Sequence, residues 1–547
     1  MTGPMLTDRP LHPLAPRYAE ALRRGRMTRR EYLASVMGLG VTGAAAAALG
    51  GFALPGRAGA QEPRRGGTLR IAMEVKQPKD PRLWDWAEIG NIGRQASEHL
   101  VRWNTDFTFS PWLLSAWEAN DDASRYTLKI RPGVTWADGS PFTAQDVAVN
   151  IRRWCERDVA RNSMAGRMSS LIDPATRRAR EDAVEVADEQ TLILHLSQSD
   201  ITIIPGMCDY PAAIVHPDFD AQGDIVAGLN LGTGPFRIEE WQPGVRAVAT
   251  RREGYWGAAP WLDRVEWIDY GTDPTATVAA LKAGEVDCNH QTLADTVSQL
   301  DALGLERSEV TTANTIVARF NVTNPPYDDP RVRRAAQLAC DNEITLALGY
   351  DNRGDPAENH HVGPMHIEYF PLPPLKRDVS RARALLREAG QTEHAFELVS
   401  IDDDWRRATT DAIAAQLRDA GFRVTRKVIP GATFWNNWST YPFSTTNWNA
   451  RPLGVQVLAL AYRSGEAWNE TGFSDPAFDA ALAEAMATEE PEARRRLMEE
   501  VERILQDSGV IIQPYWRSIF RHHHPRVHGF PIHQALDQHL EEVWVEA

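Results

Sequence analysis

The stretch PWLLSAWEANDDASRYTLKIRPGVTWADGSPFTAQDVAVNIRRW, Pro111 to Trp154, carries most of the architectural information in the chain. Its polar turn at Asn120-Asp121-Asp122 precedes a segment, Tyr126 to Ile130, whose apolar positions alternate, the period of a half-buried strand. Pro132-Gly133 makes a second turn, a further short strand is expected to reach Trp136, and Asp138-Gly139 makes a third turn. Thr143 with Asp146 three residues on is a helix start of capping-box type, because a side-chain oxygen there takes up an orphan backbone N–H. Val147, Ile151 and Trp154 then recur at helical spacing. Nothing in this block is catalytic in composition.

On either side the same grammar continues. Gly66-Gly67-Thr68-Leu69-Arg70-Ile71-Ala72 reads as a turn feeding a strand, and VEVADEQTLILHLSQ from Val184 reads as a hairpin around Asp188-Glu189. GTGPFRIEEWQPG, Gly232 to Gly244, and REGYWG, Arg252 to Gly257, follow. Gly232-x-Gly234 is not a dinucleotide loop, since Pro235 comes next and neither a third glycine nor a helix start follows; a tight turn between strands is expected. Asp273-Pro274, Asp329-Pro330 and Asp475-Pro476 each open a helix, with Asp as cap and Pro in the first turn. The helices from Asp378 and Asp411 are expected to stop at Gly390 and Gly421, and the strand FRVTRKVI follows the second. Strand and helix in alternation imply α/β lobes with ligands at strand ends.

The 547 residues are 43% hydrophobic, 24% charged and 8% aromatic, too long for one core. Residues 1–60 stand apart. Arg29-Arg30 precedes an Ala- and Gly-rich apolar segment from Ser35 to Leu54, and Ala58-Gly59-Ala60 has the form of a cleavage site. A twin-arginine export signal over 1–60 is expected, with the mature chain starting near Gln61; the competing reading of the same segment is a membrane anchor. With no cysteine before Cys155, a lipid anchor at the cleavage point is excluded, and a free periplasmic protein is expected. The formal charge is −15; residues 1–60 hold eight Arg, no Lys and three acids, a net +5, so the mature part carries −15 − 5 = −20. Such an acidic chain disfavours nucleic acid. Cys155, Cys208, Cys288 and Cys340 are widely spaced, leaving two disulfides or four buried thiols open.

The Pro111–Trp154 block resembles the signature region of the family 5 extracellular solute-binding proteins, the peptide, nickel and opine receptors of ABC importers. The Gly66–Ala72 opening, the Gly232–Gly257 region, FNVTNPPYDDPRVRRAAQLACD (Phe320 to Asp341) and RRRLMEEVERILQDSGVIIQPYWR (Arg494 to Arg517) resemble the family too. The resemblance implies an α/β fold of periplasmic binding protein-like type II, cluster C: two large lobes with a hinge and a smaller inserted lobe. Lobe I is expected at 61–93, 186–315 and 515–547, lobe II at 94–185 and lobe III at 316–514. Crossings near Ala318 and Gln513 are the expected hinges. It also implies a small-molecule or peptide ligand, an inner-membrane ABC permease as partner, a monomer and no cofactor, while the Arg29-Arg30 signal implies the twin-arginine translocase as export partner.

The ligand is expected between lobes I and III, where concave interfaces orient a few polar groups. Ala432 to Glu470 interleaves Asn436, Asn437, Asn447, Asn449 and Asn469 with Trp435, Trp438, Trp448 and Trp468. Indoles supply apolar area and amides both donors and acceptors, so Trp435, Asn436, Asn447, Trp448 and Asn449 are candidate ligand residues; core aromatics under a loop remain the alternative. Trp86, in Trp84-Asp85-Trp86 after the first strand, either packs in the core or lines the cleft; the resemblance favours the cleft. Peptide-binding members carry W-x-x-D, whose aspartate meets the peptide ammonium. This chain reads Trp448-Asn449-Ala450-Arg451, and a guanidinium there attracts a carboxylate instead. Asp403, in Asp402-Asp403-Asp404, is a candidate for a cationic or hydroxyl-rich group, or caps the next helix. His360 and His361, with His366, suggest nickel, copper or zinc, against which stands a solvated loop; His522-His523-His524 reads the same way. No hydrolase elbow, HExxH or P-loop occurs, and no enzymatic activity is expected.

Overall fold

The computed structural model describes residues 14–25, 27, 29–41, 43–52 and 63–546, apart from 106, 107, 121, 367, 374, 402, 403, 489 and 490. Helix Ala144–Trp154 begins where its capping signal stands. The Asp146 carboxylate accepts the Thr143 backbone N–H at 2.8 Å, and Val147, Ile151 and Trp154 are buried. The expected short strand to Trp136 is reduced to one bridge between Thr135 and Pro141, because Pro141 has no N–H with which to extend a ladder. Leu114–Ala119, Arg125–Ile130, Thr191–His195 and Val184–Asp188 form a four-stranded antiparallel sheet in that order. The sheet therefore runs to His195, past the expected boundary at residue 185.

The largest sheet has twelve strands. Ten lie on one path, and are labelled here β1 (Thr68–Ala72), β2 (Phe236–Gln242), β3 (Arg246–Arg251), β4 (Arg264–Ile268), β5 (Cys288–Asn289), β6 (Glu306–Phe320), β7 (Ala395–Ser400), β8 (Arg423–Val428), β9 (Phe443–Trp448) and β10 (Tyr515–His523). Their spatial order is β2-β3-β4-β1-β5-β10-β6-β9-β7-β8. At one end β1 pairs in parallel with β4 and β5; at the other β7 pairs in parallel with β8 and β9. Each parallel set requires crossover connections, as the alternation of strand and helix implied; helix Asp404–Asp419 supplies the one between β7 and β8.

Strands β6 and β10 join the two ends. Glu306–Thr311 of β6 pairs with Ser518–His523, the register shifts between Thr311 and Thr315, and Thr315–Phe320 then pairs with β9. The burial of β6 changes at the same place: its first part alternates and its last nine residues are all buried, as expected of a strand passing from a surface to a covered position. Asn314 holds the shift, its Nδ2 donating to Gln534 O at 2.8 Å and its Oδ1 accepting from Ala450 N.

The three Asp-Pro helix starts all form. Asp273, Asp329 and Asp475 accept from the backbone N–H groups of Thr275, Arg331 and Ala477. Gly390 and Gly421 stand at φ +69° and +93°, conformations that an L side chain rarely takes, after their helices. Gly232 and Gly234 lie against the backbone of Ala96 and Gln95, where a Cβ has no room, so the pair serves close packing. All four cysteines are buried and free, which settles the thiol reading; burial pushes the Cys155 and Cys340 thiols up to about 12. In the N-terminal region helices Ala15–Arg23, Arg29–Gly38 and Gly43–Gly50 form. No helix among the described residues is long and apolar enough to cross a membrane. The cleavage motif Ala58-Gly59-Ala60 lies outside the described residues.

Candidate functional site

Trp86 and Trp435 come from opposite ends of the large sheet and meet with ring centroids 4.1 Å apart. Trp86 stands extended at the start of helix Ala87–Gly93; Trp435 lies on helix Gly431–Asn437. Trp438 follows that helix, 6.1 Å from Trp86. The three indoles are only 6%, 5% and 4% exposed, yet none of their N–H groups has a hydrogen-bond acceptor. Two cations flank them. The Lys76 ammonium, just beyond β1, lies 5.7 and 5.6 Å from the Trp86 and Trp435 centroids, and the Arg406 guanidinium lies 5.1 Å from Trp435. Burial favours the neutral amine of Lys76, but Glu74 at 2.9 Å and Glu88 at 3.7 Å outweigh it and hold its pKa above the ordinary lysine value. Arg406 also donates to Asn447 Oδ1 at 2.9 Å. It lines a cavity of about 100 Å³ with Glu74, Glu88, His290 and Gln291.

Trp448 is spent inside its own half of the sheet. Its Nε1 donates to Glu470 at 2.8 Å, and its ring meets His361, Trp438 and Trp468. Glu470 is also bound by Arg319 at 2.9 Å, whose Nη2 donates to the Trp438 carbonyl at 2.6 Å. This buried carboxylate therefore orients two tryptophans at once. Asn449 contributes its carbonyl to Arg451 at 3.0 Å. Asn436 is exposed, its carbonyl accepting from Arg161 at 3.4 Å. Asp403 lies outside the described residues; the helix that it precedes opens at Asp404.

Arg451 is 3% exposed and reaches across to Asp209, Nε to Oδ2 2.9 Å, and to the Tyr210 hydroxyl at 3.2 Å. Asp209 is simultaneously bound by Arg167, Nε at 2.9 Å and Nη2 closer still. Burial raises the Asp209 pKa, but the two guanidinium charges prevail and hold it below the usual carboxylate range. The rings of Tyr210 and Trp468 stack 6.0 Å apart beside both guanidiniums. Two cations share one carboxylate here, and no carboxylate occupies the fourth position of the Trp448 motif.

The sequence model of the bacterial extracellular solute-binding proteins, family 5, matches residues 108–470. The chain belongs to this family. A probable deoxycholate-binding periplasmic protein, YgiS, of Escherichia coli is 24% identical over 494 residues, covering 86% of this chain and 91% of the relative. The glutathione-binding protein GsiB of Pectobacterium atrosepticum is 24% identical over 444 residues, covering 75% and 81%. Among solved structures, the binding protein AgaA of A. tumefaciens R10 in complex with agropinic acid superposes with TM-score 0.78 at 20% identity, covering 88% of this chain and 99% of its own. The expected binding-protein fold is thereby shown.

In this family 5 protein the histidines are not in solvated loops. His360 and His361 are 0% and 1% exposed. The His360 Nε2 meets Glu358 at 2.9 Å and the His361 Nδ1 meets the Tyr462 hydroxyl at 2.7 Å, so each has one ring nitrogen engaged inside the fold. His366, His522 and His523 are buried as well. Elsewhere His533, Asp537 and His539 converge, but the donor set does not suit a metal. Both ring nitrogens of His533 are engaged, by Trp103 O and Ala535 N, and Asp537 pairs with Arg94 at 2.9 Å. A groove of about 1010 Å³ lined by Trp112, Tyr255 and Trp256 lies beside them and contains none of the expected ligand residues.

The residues missed from sequence are Lys76, Arg167, Asp209, Tyr210 and Arg406. Lys76 and Arg406 had a readable signal, since both follow the carboxyl end of a strand. Asp209 and Tyr210 lie in irregular chain and Arg167 ends a one-turn helix, Met164–Arg167, and none of them had such a signal.

Proposed function

We propose that this family 5 protein is exported through its twin-arginine signal and works as a monomer in the periplasm. It captures a small polar solute between lobes I and III by hinge closure and delivers it to an inner-membrane ABC permease. The meeting of Trp86 with Trp435 carries this reading: residues from opposite ends of one continuous sheet form a buried aromatic contact, joined through β6 and β10. Domain closure about a few strand residues needs such an arrangement, and a solute that touches both sides favours the closed population. We take the lobes at the expected boundaries, with the small sheet extended to His195.

A peptide or peptide-like solute is the first reading. An acidic non-peptide solute, such as an opine, is the second, and a specific observation favours it. The position that would receive a peptide ammonium holds Arg451, and Asp209 is already ion-paired with two guanidiniums. The relatives named for glutathione and agropinic acid bind carboxylate-rich compounds, in keeping with that chemistry. A metal chelate is less well supported, because His360 and His361 are buried and each has a ring nitrogen held within the fold. Mass spectrometry of compounds released on denaturing the mature chain from its native periplasm tests the assignment. A recurrent small solute is expected; a mixture of unrelated short peptides would remove the opine-type reading, and turnover of the recovered compound would remove the receptor reading altogether.

A further inference from the structure

Strand β1 runs parallel to β4 on one side and to β5 on the other, and a cavity of about 100 Å³ opens past its carboxyl end, the place where parallel sheets take their ligands. Glu74 lines it from just beyond β1, Glu88 from the first turn of helix Ala87–Gly93, Asp273 from the cap of helix Pro274–Ala283, and Arg406 from the other half of the sheet. Three carboxylates in this wall stand against one guanidinium. Lys76, which is not part of the wall, relieves only some of the excess: its ammonium lies 2.9 Å from Glu74 and 3.7 Å from Glu88, so one cation serves two acids. A second feature belongs to the same wall. His290, 6% exposed, and Gln291 follow β5 and line the cavity. Burial pushes the His290 pKa down to about 3, so its ring is neutral and carries one proton. Its Nδ1 accepts from the Gln538 amide at 3.0 Å, and Gln538 is not in the cavity wall, which leaves the proton on Nε2. Neither that N–H nor the Gln291 Nε2 has an acceptor, and a buried donor of this kind gains free energy when an acceptor is supplied.

We propose that this cavity receives the amino end of the solute, with an ammonium set among Glu74, Glu88 and Asp273 and the neighbouring carbonyl oxygen accepting from His290 Nε2 and Gln291 Nε2. The inference rests on the receptor reading above and specifies its solute: a compound that begins with a free α-amino group beside a carbonyl. An ammonium brings three donors and no acceptor, and a carbonyl brings only lone pairs, so each half of such a head group matches one half of the wall. Hydrogen bonds from an ammonium to a carboxylate are of the stronger, charge-assisted class. A volume of about 100 Å³ admits a head group rather than a whole solute, so the cavity reads an end of the compound and leaves the remainder to the cleft. An amino end held here makes no demand on the fourth position of the Trp448 motif, which reconciles an amine-bearing solute with the guanidinium of Arg451. Because Arg406 lines the cavity from the other half of the sheet, a head group that fills it lies against both halves, and contacts of that kind favour the closed population.

The test uses the full mature chain labelled with ¹⁵N-histidine and titrated with L-alaninamide, which carries the ammonium and the carbonyl, against N-acetyl-L-alaninamide, which keeps the carbonyl and has no charge. The His290 signal is assigned by its loss in His290→Gln. Alaninamide is expected to move it saturably and the acetylated compound to leave it in place. Glu88→Gln is expected to weaken alaninamide about tenfold or more, and Glu74→Gln serves as the second variant should the first not fold. If alaninamide does not move the His290 signal, if both compounds move it equally, or if the folded variants bind alaninamide as wild type does, the subsite is wrong. The solute recovered from the periplasm is expected to contain a primary amine, and blocking that amine with acetic anhydride should weaken its binding to the same degree. Scattering of the protein with the unmodified solute separates the two proposals, because closure by a solute without an amine leaves the receptor reading standing and removes only this one.

Discussion

Glu98 shows what burial does to one side chain in this molecule. It is 4% exposed and accepts from Trp112 Nε1 at 2.7 Å, the Tyr255 hydroxyl at 2.7 Å and Trp256 Nε1 at 2.9 Å. Desolvation prevails over these neutral donors and raises its pKa to about 7. The folded state thus holds a proton that the unfolded chain gives up nearer pH 4.5. Stability is full below that value, falls as pH rises toward 7, and levels off above. The loss is on the order of 3 kcal/mol, and Glu98→Gln is expected to flatten the profile when urea unfolding is followed across pH 4 to 8. A second residue-scale expectation concerns Asp209. Asp209→Asn leaves Arg167 and Arg451 buried without their shared carboxylate, which costs on the order of 3–5 kcal/mol. Arg451→Met keeps the Arg167–Asp209 pair and should cost clearly less in the same denaturation assay; equal losses would show that the pair does not share its charge as described. Neither site was legible beforehand. Trp86 and Trp435 were identified from composition and their family resemblance, but the partner of Arg451 stands 242 positions earlier (451 − 209) in irregular chain, and no local pattern marks it.

At the level of elements, the readable features were those whose cause is local. Asp273, Asp329 and Asp475 cap because an aspartate before a proline has its acceptor and its first-turn geometry within four residues. The hairpin around Asp188-Glu189 and the stops at Gly390 and Gly421 formed for the same reason. Strand β6 was not legible. Its first half, Glu306 to Thr311, is charged and polar, and it becomes a strand by pairing with β10, some 200 residues later. The helix at Gly431–Asn437 was hidden by its one tryptophan and two amides, which read equally well as a loop. Where β6 changes partners, Asn314 binds one backbone group on each side, and Asn314→Ala removes both bonds from a fully buried position. A loss of about 1–3 kcal/mol is expected in thermal unfolding. Hydrogen exchange should accelerate around Ala450 and Gln534 together; acceleration at neither would mean that Asn314 does not hold the register shift.

Across the whole molecule, residues 451–466 are held to the chain between 157 and 209 without a solute by contacts of unequal worth. Arg451–Asp209 is buried, whereas Arg157–Glu466 at 3.2 Å and the Arg463 bond to Gly166 O at 2.9 Å lie nearer solvent. Partly exposed pairs are worth roughly 0–1 kcal/mol each, so these two bias the open and closed populations without fixing them. Apparent affinity scales with the fraction of molecules in the binding-competent state, and removing contacts made only on closure should therefore weaken binding even where no solute-touching residue changes. Arg157→Met combined with Arg463→Met is expected to raise the radius of gyration of the solute-free protein in X-ray scattering. It should also weaken the recovered solute about threefold to tenfold, while the saturated complex returns to the wild-type radius. Wild-type values in both states would mean that these contacts are indifferent to closure. A radius unchanged by saturating solute, in wild type as in the variant, would remove hinge closure itself.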